Sequence, residues 1–150
     1  MFWEEKIDRL KKEVDPTDFK VPFTNGSKIL KKIEGKFVIK ENSNITFSSW
    51  DSRLKGKTQI KKILTANIDG ELERLDLNKN YWIVLARDKA DFKNLVYDSK
   101  PTVIKILSGL WDGDFYIVDK KYNWLTYFKR DTTNTEIFKS KNSMTPLDEK

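Results

Sequence analysis

The chain of 150 residues carries 29 Lys+Arg against 23 Asp+Glu, a formal net charge of +6, and contains neither histidine nor cysteine. Those zeros exclude disulfides, thiolate nucleophiles, imidazole general bases, Ser-His-Asp triads and the usual zinc and iron ligand sets. Chemistry is left to carboxylates, lysines, tyrosines and hydroxyls; 24 of the cations are lysine, whereas nucleic-acid surfaces lean on arginine for bidentate contacts.

Trp3, Ile7, Leu10 and Val14 are spaced 4, 3 and 4, which predicts an amphipathic helix over residues 2–14. Asp15-Pro16 ends it, because the residue before proline is pushed out of the helical region. After a loop over 15–26, Ser27 is placed to cap a short helix bearing Ile29, Leu30 and Ile33, which stops at Gly35. Two strands are expected at 36–40 and 45–49. A third helix, capped by Thr58, would present Ile60, Ile63, Leu64 and Ile68. Asp69–Asn80 is acidic and reads as a short helix or a covering loop. Strands follow at Tyr81–Arg87 and Asn94–Tyr97, then a helix capped by Ser99 with Pro101 in its first turn and Val103, Ile104 and Leu107 facing inward. Phe115–Asp119, Asn123–Arg130 and Thr135–Lys139 complete the sheet.

Residues 1–139 are thus expected to form a single α+β domain, a largely antiparallel β-sheet packed with about four helices, with 140–150 as a frayed tail. The longest apolar run, Tyr81 to Ala86, is six residues, far below the roughly 18 needed to span a membrane. The start, Met1-Phe2-Trp3-Glu4-Glu5, lacks the basic and apolar regions of a signal peptide, so a cytoplasmic location without membrane contact is expected. From Tyr81 to Phe128 there are 11 aromatics in 48 residues, and strands such as Tyr81–Leu85 are apolar on both faces. Such a sheet is covered on both sides, or it offers an aromatic face to a partner.

The segment Trp50-Asp51-Ser52-Arg53-Leu54-Lys55-Gly56-Lys57-Thr58 ends like a phosphate-binding loop. The first glycine of G-x-x-x-x-G-K-[ST] would fall at position 51, where Asp51 repels phosphate. Arg53, Lys55 and Lys57 at a helix start make either an anion-binding corner or an ordinary solvated helix end. Residues 53–62 hold five cations and no acid, and 69–76 four acids and one arginine; the two either steer a charged partner or neutralise each other. Asp112 and Asp114 form a D-x-D pair of a kind that ligates hard cations, but Asp-Gly also reads as a turn, and no metal or cofactor is expected. Trp50 beside Arg53, together with Trp111, Tyr122 and Trp124, supplies the residue types that anchor interfaces.

The run Asp114-Phe115-Tyr116-Ile117-Val118-Asp119-Lys120-Lys121-Tyr122-Asn123-Trp124-Leu125 resembles the hairpin [YF]-Y-[IV]-[VL]-D-K-x-[YL]-x-W-[LM] of small bacterial immunity-like domains encoded beside polymorphic or contact-dependent toxins. The resemblance spans residues 81–130. Members often place Asn and His after the Trp strand, where this chain has Thr126-Tyr127-Phe128-Lys129-Arg130. It implies a non-enzymatic protein-binding module that neutralises one cognate toxin. The alternative is nucleic-acid or anion binding through residues 53–62. Nuclease inhibitors are typically acidic, so on a chain of +6 an immunity function requires a locally acidic face, around 69–76 or 112–114, or a toxin other than a basic nuclease.

Overall fold

The computed structural model describes residues 3–22, 26–39, 50, 52–86, 95–111 and 113–141. The first apolar stripe forms α1 (Trp3–Glu13), burying Trp3, Ile7 and Leu10, with Glu4 and Glu5 at the positive end of its dipole and Lys11 and Lys12 at the negative end. Beyond it, Asp15 Oδ1 accepts hydrogen bonds from the Thr17 amide and hydroxyl, both at 2.8 Å. These bonds hold its carboxyl below the usual carboxylate range and shape the turn into the two-residue strand β1 (Phe19–Lys20).

The second helix, α2 (Gly26–Phe37), runs past the expected stop at Gly35. Leu30, Ile33 and Phe37 form one stripe at spacings of 3 and 4, each nearly or fully buried. Burying a phenylalanine is worth about 2 kcal/mol, more than the roughly 1 kcal/mol that an internal glycine costs. The expected strand at 36–40 is therefore reduced to an antiparallel bridge between Val38 and Leu54. The strand expected at 45–49 lies outside the described residues.

The largest correction is at Thr58. Residues Thr58–Leu64 form strand β2 and not a capped helix. The chain then makes a 3-10 turn (Thr65–Asn67) and the short α3 (Ile68–Leu72). Strands β3 (Tyr81–Leu85) and β4 (Val96–Ser99), helix α4 (Pro101–Leu110), and strands β5 (Phe115–Asp119), β6 (Trp124–Arg130) and β7 (Asn134–Lys141) follow. The sheet order is β1-β4-β3-β5-β6-β7-β2, and every pairing is antiparallel. The fold is a single α+β domain with four α-helices among the described residues. Residues 140 and 141, expected to belong to a frayed tail, are part of β7, where Ser140 is fully buried and its Oγ donates to the Lys55 carbonyl at 2.6 Å; residues 142–150 lie outside the described residues.

Register assigns each ring to a face. Tyr97, Ile83, Ile117 and Thr126 align across β4, β3, β5 and β6 on one face. Helix α1 packs there, where the Trp3 indole donates to the Tyr97 hydroxyl at 2.8 Å and its ring lies 5.5 Å from that of Trp111, just beyond α4. Val84, Tyr116, Tyr127 and Phe138 align on the other face, with Tyr116–Tyr127 and Tyr127–Phe138 stacked at 4.8 and 5.7 Å. Trp50 covers this second face, 5.3 Å from the Tyr116 ring, and donates to Glu34 of α2 at 2.9 Å. Strands apolar on both sides are thus explained by cover on both sides.

Two local details carry predictions. Ser99, expected to cap α4, lies within β4; the N-cap residue is Lys100, without a side-chain cap. The Ser99 Oγ is fully buried and finds no hydrogen-bond partner among the described residues. Ser99→Ala is therefore expected to hold or raise stability in urea unfolding, where loss of a genuine cap costs about 1 kcal/mol. The second detail is Tyr97, whose phenol is pushed well above its ordinary 10.0, chiefly by burial. The folded state holds this proton more tightly than the unfolded one. Its contribution is thus complete below pH 10 and lost progressively above it. Alkaline unfolding is expected to release a late-ionising phenol, seen by ultraviolet titration, that Tyr97→Phe removes. Identical titration curves for the two proteins would contradict this.

Candidate binding groove

On the face shared with α1 and α4, the sheet is wider than its helical cover. Helix α3 and the turn after it lean on the middle of the face through Ile68, Leu72 and Leu75, of which Leu72 is almost fully buried. Between this element and strands β6, β7 and β2 runs an open groove of about 400 Å³. Its floor is Ile117, Thr126, Phe128 and Ile137, and Ile60, 47% exposed, forms the outer lip.

The two ends differ chemically. At one, Tyr81 and Trp124 stand with ring centroids 5.8 Å apart, and the Lys139 ammonium lies 5.6 Å from the Trp124 ring. The Tyr81 hydroxyl accepts from the Asp76 amide at 3.1 Å, which fixes that ring. At the other end Glu71 receives Lys61 at 3.1 Å and Arg74 at 3.4 Å. The acidic stretch therefore meets the basic one at this point, Glu71 and Lys61, and Glu73 turns instead to Lys105 of α4 at 3.0 Å.

Ile60 reaches the groove because the β2–β7 register shifts between Gln59 and Lys61. The extra residue of such a bulge breaks strict alternation. It leaves apolar residues at 60, 63 and 64, a spacing that imitates a helix. Lys61, Lys62 and the bulge also blunt an otherwise long free strand edge against unwanted pairing.

The residues singled out from sequence fall in separate places. Trp50 is fully buried, so its ring is core and is not offered to a partner. Arg53 and Lys55 tie residues 53–55 to the end of α2: the Ile39 amide donates to the Arg53 carbonyl, and the Lys55 amide to the Phe37 carbonyl, both at 2.7 Å. The turn Lys55-Gly56-Lys57, with Gly56 at φ +56°, leads into a strand, so the anion corner drawn at a helix start has no helix amides behind it. The Lys57 ammonium lies 4.5 Å from the Phe138 ring.

Trp111 is largely buried, its indole donating to the Asp114 carbonyl at 2.9 Å. A side chain at Gly113 would meet that ring at 2.9 Å, so any larger residue there would have to displace the largely buried indole. The Asp114 carboxylate accepts from the Tyr127 hydroxyl at 2.8 Å and the Arg130 amide at 2.9 Å, bonds that lock the β5–β6 pair. Asp51 and Asp112 lie outside the described residues. Tyr122 occupies the β5–β6 turn at φ 58°, largely buried, with the Lys32 ammonium 4.6 Å from its ring; burial pushes its phenol up.

Among the described residues of that set, Trp124 alone lines the groove. Glu71, Leu72, Leu75 and Ile60 were visible in the sequence only as an acidic covering segment and as positions on a supposed helix. Arg74 was visible only as the one arginine of the acidic stretch, and Lys139 only as the end of an expected strand. Among the described residues no group of three or more His, Cys, Asp or Glu is placed to hold a metal, and no helix is long and apolar enough to cross a membrane. No protein-family model, no curated protein and no solved structure matches this chain.

Proposed function

We propose that the protein is a non-enzymatic protein-binding module whose contact surface is the groove between α3 and strands β6, β7 and β2. The observation that carries this reading is the half-buried Trp124 beside Tyr81, set in an open apolar trough with a charged rim. A large half-buried ring bordered by polar groups that exclude water is the usual form of an interface hot spot. The most specific form of the reading is toxin neutralisation, which the resemblance of the 114–125 hairpin supports. An inhibitor of that kind needs a rigid scaffold and a complementary surface and no catalytic group.

The test is affinity capture from the source organism with the wild-type chain and with Trp124→Ala. One protein is expected to be retained by the wild type, with affinity at least about tenfold weaker for the variant. Circular dichroism establishes that both are folded. Equal capture by both removes the groove from the interface. If the chain instead binds mixed oligonucleotides with affinity falling linearly in log salt, the nucleic-acid alternative replaces this reading.

A further inference from the structure

The groove continues past Trp124. Beyond the Tyr81–Trp124 pair, a second open cavity of about 420 Å³ has the same two rings as one wall and Lys79, Asn80, Asp119, Lys120, Lys121 and Asn123 as the rest. Two of its charged groups already have partners. Lys120 reaches Asp98 at 2.8 Å and lies 3.8 Å over the Trp82 ring. Asp119 Oδ1 accepts from the amides of Asn123 at 2.6 Å and Trp124 at 3.0 Å. Lys79 and Lys121 are exposed and make no ion pair among the described residues.

An apolar trough and a cationic trough thus share one aromatic wall. We infer that the two form a single cleft for an extended acidic segment of a protein partner, a bulky apolar side chain entering the groove and neighbouring carboxylates lying over Lys79 and Lys121. This rests on the protein-binding reading and adds the chemistry of the partner. Charge complementarity selects an anionic occupant, because Glu71, the one carboxylate lining the groove among the described residues, is already held by Lys61 and Arg74. The shape selects an extended chain. Small ligands are normally enclosed over most of their surface, whereas neither cavity here is enclosed. Alternate side chains of an extended segment project to one side about 7 Å apart, so one short stretch serves both troughs.

The experiment is selection of random dodecapeptides displayed on phage against the wild-type chain at low salt. Enriched sequences are re-measured by fluorescence polarisation on Trp124→Ala and on the double variant Lys79→Glu with Lys121→Glu. The expected consensus places an aromatic or aliphatic residue beside Asp or Glu. Affinity should fall at least about tenfold for Trp124→Ala. It should fall about tenfold for the charge reversal, an effect that high salt removes. Enriched peptides without acids, sensitive to Trp124→Ala but not to the charge reversal, overturn the acidic occupant and leave the protein-binding reading standing. Absence of any enriched peptide, together with quenching of tryptophan fluorescence by decanoate that Trp124→Ala abolishes, overturns the inference in favour of a small amphiphile. Loss of groove dependence in the capture of the natural partner overturns the parent reading itself.

Discussion

Trp50→Ala is expected to destabilise the protein by about 3–5 kcal/mol, the range for deleting a fully buried aromatic and leaving its cavity. The indole fills the space between α2 and the face bearing Tyr116, and its Nε1 donates to Glu34. Removing it takes away both the packing and the bond that hold residue 50 against the helix. In urea unfolding the midpoint should drop sharply with little change in slope. The same substitution separates two roles for this tryptophan. A surface anchor shortened to alanine leaves stability within about 0.5 kcal/mol, so a near-wild-type midpoint would remove Trp50 from the core.

Arg130→Met is expected to cost about 3 kcal/mol. Arg130 Nη1 donates to the carbonyls of Ser108 and Trp111, both at 2.7 Å, at the C-terminal end of α4. Terminal carbonyls of a helix have no partner within it, and a guanidinium placed there satisfies them and meets the negative end of the dipole. Bonds to a charged group are worth about 1.5–3 kcal/mol each, and the buried carbonyls lose their partner when the charge goes. Methionine keeps the bulk of the side chain, so lost packing contributes little. Beyond global stability, amide exchange should quicken in the last turn of α4 while β6 stays protected. Uniform quickening across both elements would show that Arg130 acts through the sheet and not as a cap.

Much of the architecture was legible because its elements repeat apolar residues at their own period. The 4, 3, 4 spacing in α1, Pro101 at the start of α4 and the aromatic runs of β3, β5 and β6 each belong to one segment and need no partner to be read. The hairpin of β5 and β6 was equally local, although its turn uses Tyr122 at positive φ where glycine or asparagine is common. Readings failed where a distant contact overrode local preference. Gly35 does not end α2, because the burial of Phe37 outweighs its cost. Thr58–Leu64 is a strand because β7 pairs with it from 70 to 81 residues away, and the bulge at Ile60 disguised the alternation.

The functional surface divides the same way. Trp124 was open to sequence reasoning as a ring at the end of a turn. Trp50 and Trp111 met the same compositional test, yet lie in the core, because residue type does not report which face a ring occupies. Glu71 and Lys61, from the acidic and basic stretches, meet only because α3 folds back over the face that ends in β2.

By itself the sequence determined what this protein lacks and what it is built from. It has no imidazole and no thiol, and its strands are dense in rings and apolar on both faces. Only the tertiary structure decided which ring is left beside a groove, and that the groove lies next to the exposed Lys79 and Lys121. The physical reason is that burial depends on the sum of long-range packing. A local period shows that a side chain has an apolar face to hide, but the fold decides whether anything arrives to hide it.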